Sequence, residues 1–201
     1  MKIICIEDNY KTKENSKHLL IHPIFFIKPE SSLLINNYPF LIPDHAKQII
    51  PKVNIALKIC RLGKNIQEKF AHLYYDEFSL GIDMEAADSL AECKKNRLPW
   101  ETAKAFDSSA PIGNFISKNE FKDLNDINFS IFINGNLIVQ ANTSQMILSI
   151  DGIISYISTF ITLKQGDYIF TGSPDISDVI KINDKIECFL ENKKLLNFNI
   201  K

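Results

Sequence analysis

The sequence predicts an α+β fold that is mainly β, with a few short helices, and three observations carry that prediction. Val53, Ile55, Leu57 and Ile59 alternate strictly with Lys52, Asn54, Ala56 and Lys58, the period of a half-buried strand. Asn134-Gly135, set between Phe129 to Ile133 and Leu137 to Gln140, marks a β-hairpin, because a type I′ turn needs positive φ at both central residues. The seven glycines are scattered singly from Gly63 to Gly172, and no Pro/Gly/Ser linker or internal repeat divides the chain. Residues 1–201 are therefore expected to form one domain.

The elements follow in order. Lys2 to Ile6 and Pro23 to Ile27 read as short apolar strands around a polar stretch, Asn9 to Lys17, that suits a loop or short helix. After the alternating strand, Asn65 offers an N-cap to a helix carrying Ile66, Phe70, Leu73 and Tyr74, with Gly81 beyond it. Leu80 to Met84 is a short strand. Glu85 to Asn96 is a polar helix halted before Pro99, whose ring pushes the preceding residue out of helical backbone. Trp100 to Ile116 reads as a loop. Ser149 to Phe160 is a helix whose Ile150, Ile153, Ile154 and Ile157 continue to Ile161 as one apolar stripe fit to cover a sheet. Strands close the chain at Tyr168 to Thr171, Val179 to Ile182, Lys185 to Leu190 and Leu195 to Ile200, with turns at Asn183-Asp184 and Glu191 to Lys194.

Composition excludes several classes of function. Lys and Arg number 23 against 24 Asp and Glu, a formal charge of -1, so no bulk attraction draws the chain to nucleic acid or anionic lipid. Arg61 and Arg97 are the only arginines, which argues further against bidentate phosphate or base recognition. Cys5, Cys60, Cys93 and Cys188 form no C-x-x-C pair and read as reduced thiols of a cytosolic protein. The amino-terminal apolar run is too short for a signal-peptide core, and nothing approaches the ~18 apolar residues of a membrane helix. A soluble, unexported, cytoplasmic protein is expected.

Phosphate-cradling glycine loops, H-E-x-x-H and G-x-S-x-G are absent from the sequence. His18, His22, His45 and His72 show no ligand-like spacing, and His72 reads as structural. Asp83, Glu85 and Asp88 are the densest acidic cluster. Asp83 and Glu85, two apart in a strand, share a face and suit a hard cation; the same pattern also suits the acidic start of a polar helix.

Asn9-Tyr10, Phe26-Ile27-Lys28-Pro29, Leu98-Pro99-Trp100, Ala103-Lys104-Ala105-Phe106-Asp107, Asn134-Gly135, Gln140, Asn142-Thr143, Gly166-Asp167 and Thr171-Gly172-Ser173-Pro174 occur in that order over nearly the whole chain. Together, ending in a G-D-x-x-x-T-G-[ST]-P run, they resemble the fumarylacetoacetate hydrolase family. The resemblance implies a mixed β-sandwich roll like that family's C-terminal domain and a homodimer. It also implies a Mg or Mn site where small 2-oxo or β-diketo acids undergo carbon-carbon hydrolysis, decarboxylation or isomerisation.

This chain departs from the family pattern at its site. Two of the three metal carboxylate positions fall on Lys52 and Asn54, and the third on Asp83, the retained ligand. The base pair of the N-Y-x-x-H-x-x-E pattern falls on Lys13 and Ser16. The T-x-R-D segment reads Glu85, Ala87 and Asp88, and the glycine loop after the T-G run reads Asp175-Ile176-Ser177. Lys104 and Thr171 remain at positions that contact substrate in relatives, and Lys104 can alternatively pair with Asp107 or Asp83. The expectation is a catalytically impaired or inactive scaffold, or a binder of a small carboxylate through Lys52, Lys104 and Thr171, needing no cofactor. In it the Lys52 ammonium takes the cation's place and pairs with Asp83. The alternative is an active Mg- or Mn-dependent enzyme with a site rebuilt through Glu85 or another acid.

Overall fold

The computed structural model describes residues 1–11 and 23–201. The elements are β1 (Ile3–Glu7), β2 (Ile24–Lys28), β3 (Leu33–Leu34), β4 (Ile49–Ile59), α1 (Glu68–Ala71), β5 (Tyr75–Ala86), α2 (Ala87–Asn96), α3 (Glu101–Lys104), β6 (Ala110–Pro111) and β7 (Ile116–Ser117). There follow β8 (Asn128–Ile133), β9 (Asn136–Asn142), α4 (Ile150–Phe160), β10 (Tyr168–Phe170), β11 (Lys185–Leu190) and β12 (Lys193–Asn199). The fold is mainly β with few helices, as its sequence predicts.

Among the described residues the strands form a six-stranded sheet ordered β2-β1-β10-β4-β5-β7, a four-stranded sheet ordered β12-β11-β8-β9, and the small pair β3-β6. In the large sheet β1 runs parallel to β10, and the other pairs are antiparallel. One core joins the two larger sheets and the helices. It gathers Ile4, Val53, Ile55, Leu57, Ile59, Leu80 and Ile82 with Phe129, Ile131, Ile186, Leu196 and Phe198. The stripe of α4 joins it: Ile150, Ile153, Ile154 and Ile157 are all buried, each contributing about 1.5 to 3 kcal/mol.

The hairpin forms as its turn residues require, with Asn134 at φ 53° and Gly135 at φ 78°. The alternating strand differs from its half-buried reading. It lies inside the sheet between β10 and β5, and its second face is also covered, where Ala56 packs with Ile3, Cys5, Ala110, Ile112 and Phe170. Alternation here separates two buried environments, an apolar core and a mixed polar site.

Three other expectations are corrected. The helix from Asn65 shrinks to α1, because Asn65 sits at φ 51° and the N–H groups of Asn65 and Ile66 are bonded to Ser158 O and Ser158 Oγ of α4 at 2.9 and 2.8 Å. Phe70 and Leu73 are left 47% and 43% exposed. Val179 to Ile182 is not a strand; Ile180 N bonds Ile49 O at 2.9 Å, without a continuing ladder. The span read as a loop from Trp100 holds α3 and the short strands β6 and β7. Cys5, Cys93 and Cys188 are buried thiols, and Cys60 is half-buried. No helix among the described residues is long and apolar enough to cross a membrane.

Candidate functional site

The site lies where the end of β1, the polar face of β4 and β5, and the loop after β10 meet. β4 and β5 pair antiparallel with Lys52 opposite Asp83 and Asn54 opposite Gly81, so these side-chain positions share one face. Asp83 and Glu85, two apart on β5, project to that face and are both buried. The segment after β1 and the loop after β10 close the rim. Asn9 Nδ2 donates to Thr171 O at 2.8 Å, Asn9 Oδ1 accepts from Leu148 N at 2.8 Å, and Gly172 at φ 105° passes so near that a Cβ there would lie 2.7 Å from Asn9 Cβ.

An ion-pair network fills the floor. Lys104, at the end of α3, places Nζ 2.8 Å from Asp83 Oδ2, 2.7 Å from Glu85 Oε2 and 2.5 Å from Glu7 Oε1. Lys28, at the end of β2 and without solvent exposure, lies 2.8 Å from Asp83 Oδ1 and donates to Ser109 O and Ser109 Oγ at 2.9 and 3.0 Å and to Lys104 O. Burial works to raise the Asp83 pKa, but the Lys104 and Lys28 ammoniums outweigh it and hold this carboxyl below its usual range. Burial likewise opposes the Lys104 charge, and Asp83, Glu7 and Glu85 outweigh it, holding the ammonium well above its usual range. For Glu7 burial wins over Lys104, so its pKa is raised.

The Lys52–Asp83 pair does not form. Lys52 Nζ instead donates to Ile176 O at 3.1 Å and takes part in no ion pair among the described residues. Asp83 is bound by Lys28 and Lys104, which reach it from β2 and α3, elements that cover this end of β5. Asn54 donates to Lys52 O and accepts from Gly172 N, both at 2.8 Å. Thr171 is buried, its hydroxyl 3.2 Å from Ile55 O. Lys13 and Ser16 lie outside the described residues.

These groups surround a cavity of about 60 Å³ lined by Glu7, Asp8, Lys52, Asn54, Asp83 and Asp175, among others. That exceeds the roughly 10–15 Å³ a cavity needs to admit a water. The donor set does not fit a divalent ion. A hard cation needs several free oxygens, whereas here the three carboxylates that converge from β1 and β5 converge on the Lys104 ammonium. Among the described residues no group of three His, Cys, Asp or Glu side chains is placed to hold a metal.

Two site residues escape sequence reasoning. Lys28 had a signal, a lone charge closing the apolar run Ile24 to Ile27, which demands a buried partner. Glu7 had a weaker one, a carboxylate directly after the fully buried Ile3 to Ile6.

Comparison with known proteins follows the same lines. The family model "Fumarylacetoacetate (FAA) hydrolase C-terminal" matches residues 2–200. Oxaloacetate tautomerase FAHD1, mitochondrial, of Mus musculus is 36% identical over 201 residues, covering 99% of this chain and 91% of that protein. A solved fumarylacetoacetate hydrolase family protein of Yersinia pestis CO92 superposes with TM-score 0.91 at 33% identity, over 100% of this chain and 92% of that one. Fumarylpyruvate hydrolase of Pseudomonas aeruginosa, solved with Mn2+ and pyruvate, shares the fold with TM-score 0.92 at 22% identity, over 100% of this chain and 89% of that one.

Proposed function

The chain belongs to the fumarylacetoacetate hydrolase family, and from that premise we propose that it is a member without metal-assisted catalysis, acting in the cytoplasm as a folded homodimeric scaffold. One observation carries the reading: each of the three family ligand positions is engaged within the protein. Lys52 reaches Ile176 O, Asn54 spends its amide on Lys52 O and Gly172 N, and both Asp83 oxygens face lysine ammoniums. A dication brought to this point would meet the charge of Lys104 at close range in a poorly screened pocket. A small carboxylate ligand is the weaker part of the proposal, since Lys104 and Thr171 already have internal partners and Lys52 alone faces Glu7, Asp8, Asp83 and Asp175.

The second reading is metal-dependent hydrolysis, decarboxylation or isomerisation of small 2-oxo or β-diketo acids. The tautomerase identity of the mouse relative favours it. Calorimetric titration with Mn2+ and Mg2+, followed by oxaloacetate turnover with each ion, separates the two. No saturable binding and no turnover above the free ion's own rate is the expected result. Micromolar binding with turnover overturns the proposal. Lys52→Glu with Asn54→Glu returns two oxygen donors to the face opposite Asp83: Mn2+ binding by this variant means that only those side chains were missing, and no binding means that Lys28 and Lys104 keep the site closed to the ion.

A further inference from the structure

We infer that Glu7 is a plug: its carboxylate occupies, from within the chain, a carboxylate-binding position on Lys104, and a small monocarboxylate can take that position once the Glu7 side chain is removed. Lys104 Nζ donates to Asp83 Oδ2 and lies within ion-pair distance of Glu85 and Glu7 as well. Two of them, Asp83 and Glu85, stand on the same face of β5 inside the sheet, with side chains 6% and 11% exposed. The third differs in origin and in exposure. Glu7 is the last residue of β1, precedes Asp8 at φ 53°, is 23% exposed, and lines the cavity.

Of the three carboxylates, Glu7 has the most exposed side chain, and with Asp83 it lines the cavity. Phe26 lies beside the Lys104 ammonium, 4.9 Å from ring centre to Nζ. Truncating Glu7 takes one ion-pair partner from a buried cation, a loss that an added anion relieves. Glu7, Asp83 and Glu85 against Lys28 and Lys104 are three negatives on two positives; without Glu7 the count is two on two, and one monovalent carboxylate returns the cluster to its original charge.

Size makes the inference sharp. Glu7→Ala removes the atoms of an acetate, and Glu7→Gly those of a propionate. With a chelator present throughout, Glu7→Ala should bind acetate saturably in the millimolar range by calorimetry and melt at a higher temperature in acetate than in chloride of equal ionic strength. Glu7→Gly should prefer propionate. The unsubstituted protein and Glu7→Gln, whose amide still fills the position, should do neither, and Lys104→Met in the Glu7→Ala background should abolish binding. If Glu7→Ala folds only with acetate, that also supports the plug. Equal acetate binding by all forms, no binding by a folded Glu7→Ala, or a Glu7→Ala that acetate cannot fold while Glu7→Gln folds, overturns it. No metal enters these measurements, so their failure leaves the scaffold reading standing, and metal-dependent turnover would leave the plug untouched.

Discussion

Asn54 Oδ1 accepts the Gly172 N–H at 2.8 Å, tying the middle of β4 to the loop after β10. The same amide donates to Lys52 O at 2.8 Å, so both ends of a side chain only 2% exposed are satisfied. Asn54→Ala leaves the Gly172 N–H without its acceptor in a buried place, a loss of about 1 to 3 kcal/mol. Asn54→Asp, which keeps the acceptor, should recover part of it. Urea unfolding of the two variants at neutral pH measures the order; an Asn54→Ala midpoint equal to that of the unsubstituted protein would show that the bond is dispensable.

How far the sequence could be read depended on the range of the forces involved. The β8–β9 turn follows from Asn134-Gly135 alone, and the burial of α4 from its own isoleucine spacing, because both are local. The identity of the Asp83 partner is not local. Lys52 stands directly opposite Asp83, yet the bonds come from Lys28 and Lys104. Only the pairing of β1 with β2 and β10, and the seating of α3 against β5, decides which ammonium arrives first. Glu7 was hidden for the same reason, since its role depends on an amine 97 positions away in the chain (104 less 7). The helix expected at Asn65 failed where α4 captured its first donors, a tertiary bond overriding a cap signal.

Lys28 joins β2 to the turn before β6, and its ammonium has Asp83 Oδ1, Ser109 O, Ser109 Oγ and Lys104 O as partners in a place without solvent. Lys28→Met removes one charge of a buried pair and leaves carbonyls unpaired, a loss of about 3 to 5 kcal/mol. Adding Asp83→Asn should cost less than the sum of the single substitutions, because the two side chains interact directly. Chemical unfolding of the three variants supplies the cycle, and strict additivity would argue against the pair.

Asp88 lies in the first turn of α2, where its Oδ2 accepts the Lys47 N–H at 2.9 Å. Burial works to raise its pKa, but the backbone N–H groups of Lys47, Ser89, Asp88 and Gln48 hold it below the ordinary 3.8. A carboxyl depressed on folding adds stability above its unfolded pKa and loses it as pH falls through the folded value. Asp88→Asn should therefore cost about 0.3 to 1 kcal/mol at pH 7, the usual range for an acid at a helix start. The gap should begin to close below pH 3.8 and vanish beneath the folded pKa. Unfolding midpoints of both proteins across that range test it; a gap that stays constant with pH would exclude the charge as its source.

Gly81 faces the ring of Phe170 so closely that a Cβ would lie 2.3 Å from Cζ and 2.5 Å from Cε1. Phe170 is fully buried in the cluster with Ile3, Cys5, Ala56, Ala110 and Ile112, so the ring has little room to withdraw. Gly81 is also the register partner of Asn54, and a shift of β5 there would carry the amide away from Gly172. Gly81→Ala should thus destabilise by about 1 to 3 kcal/mol through overpacking. Phe170→Leu, harmful alone, should restore part of that loss when combined with it, because the smaller side chain vacates the contested volume. A coupling of that sign in urea unfolding locates the cost between these two residues; a Gly81→Ala protein as stable as its parent would mean the sheet and the ring part without resistance.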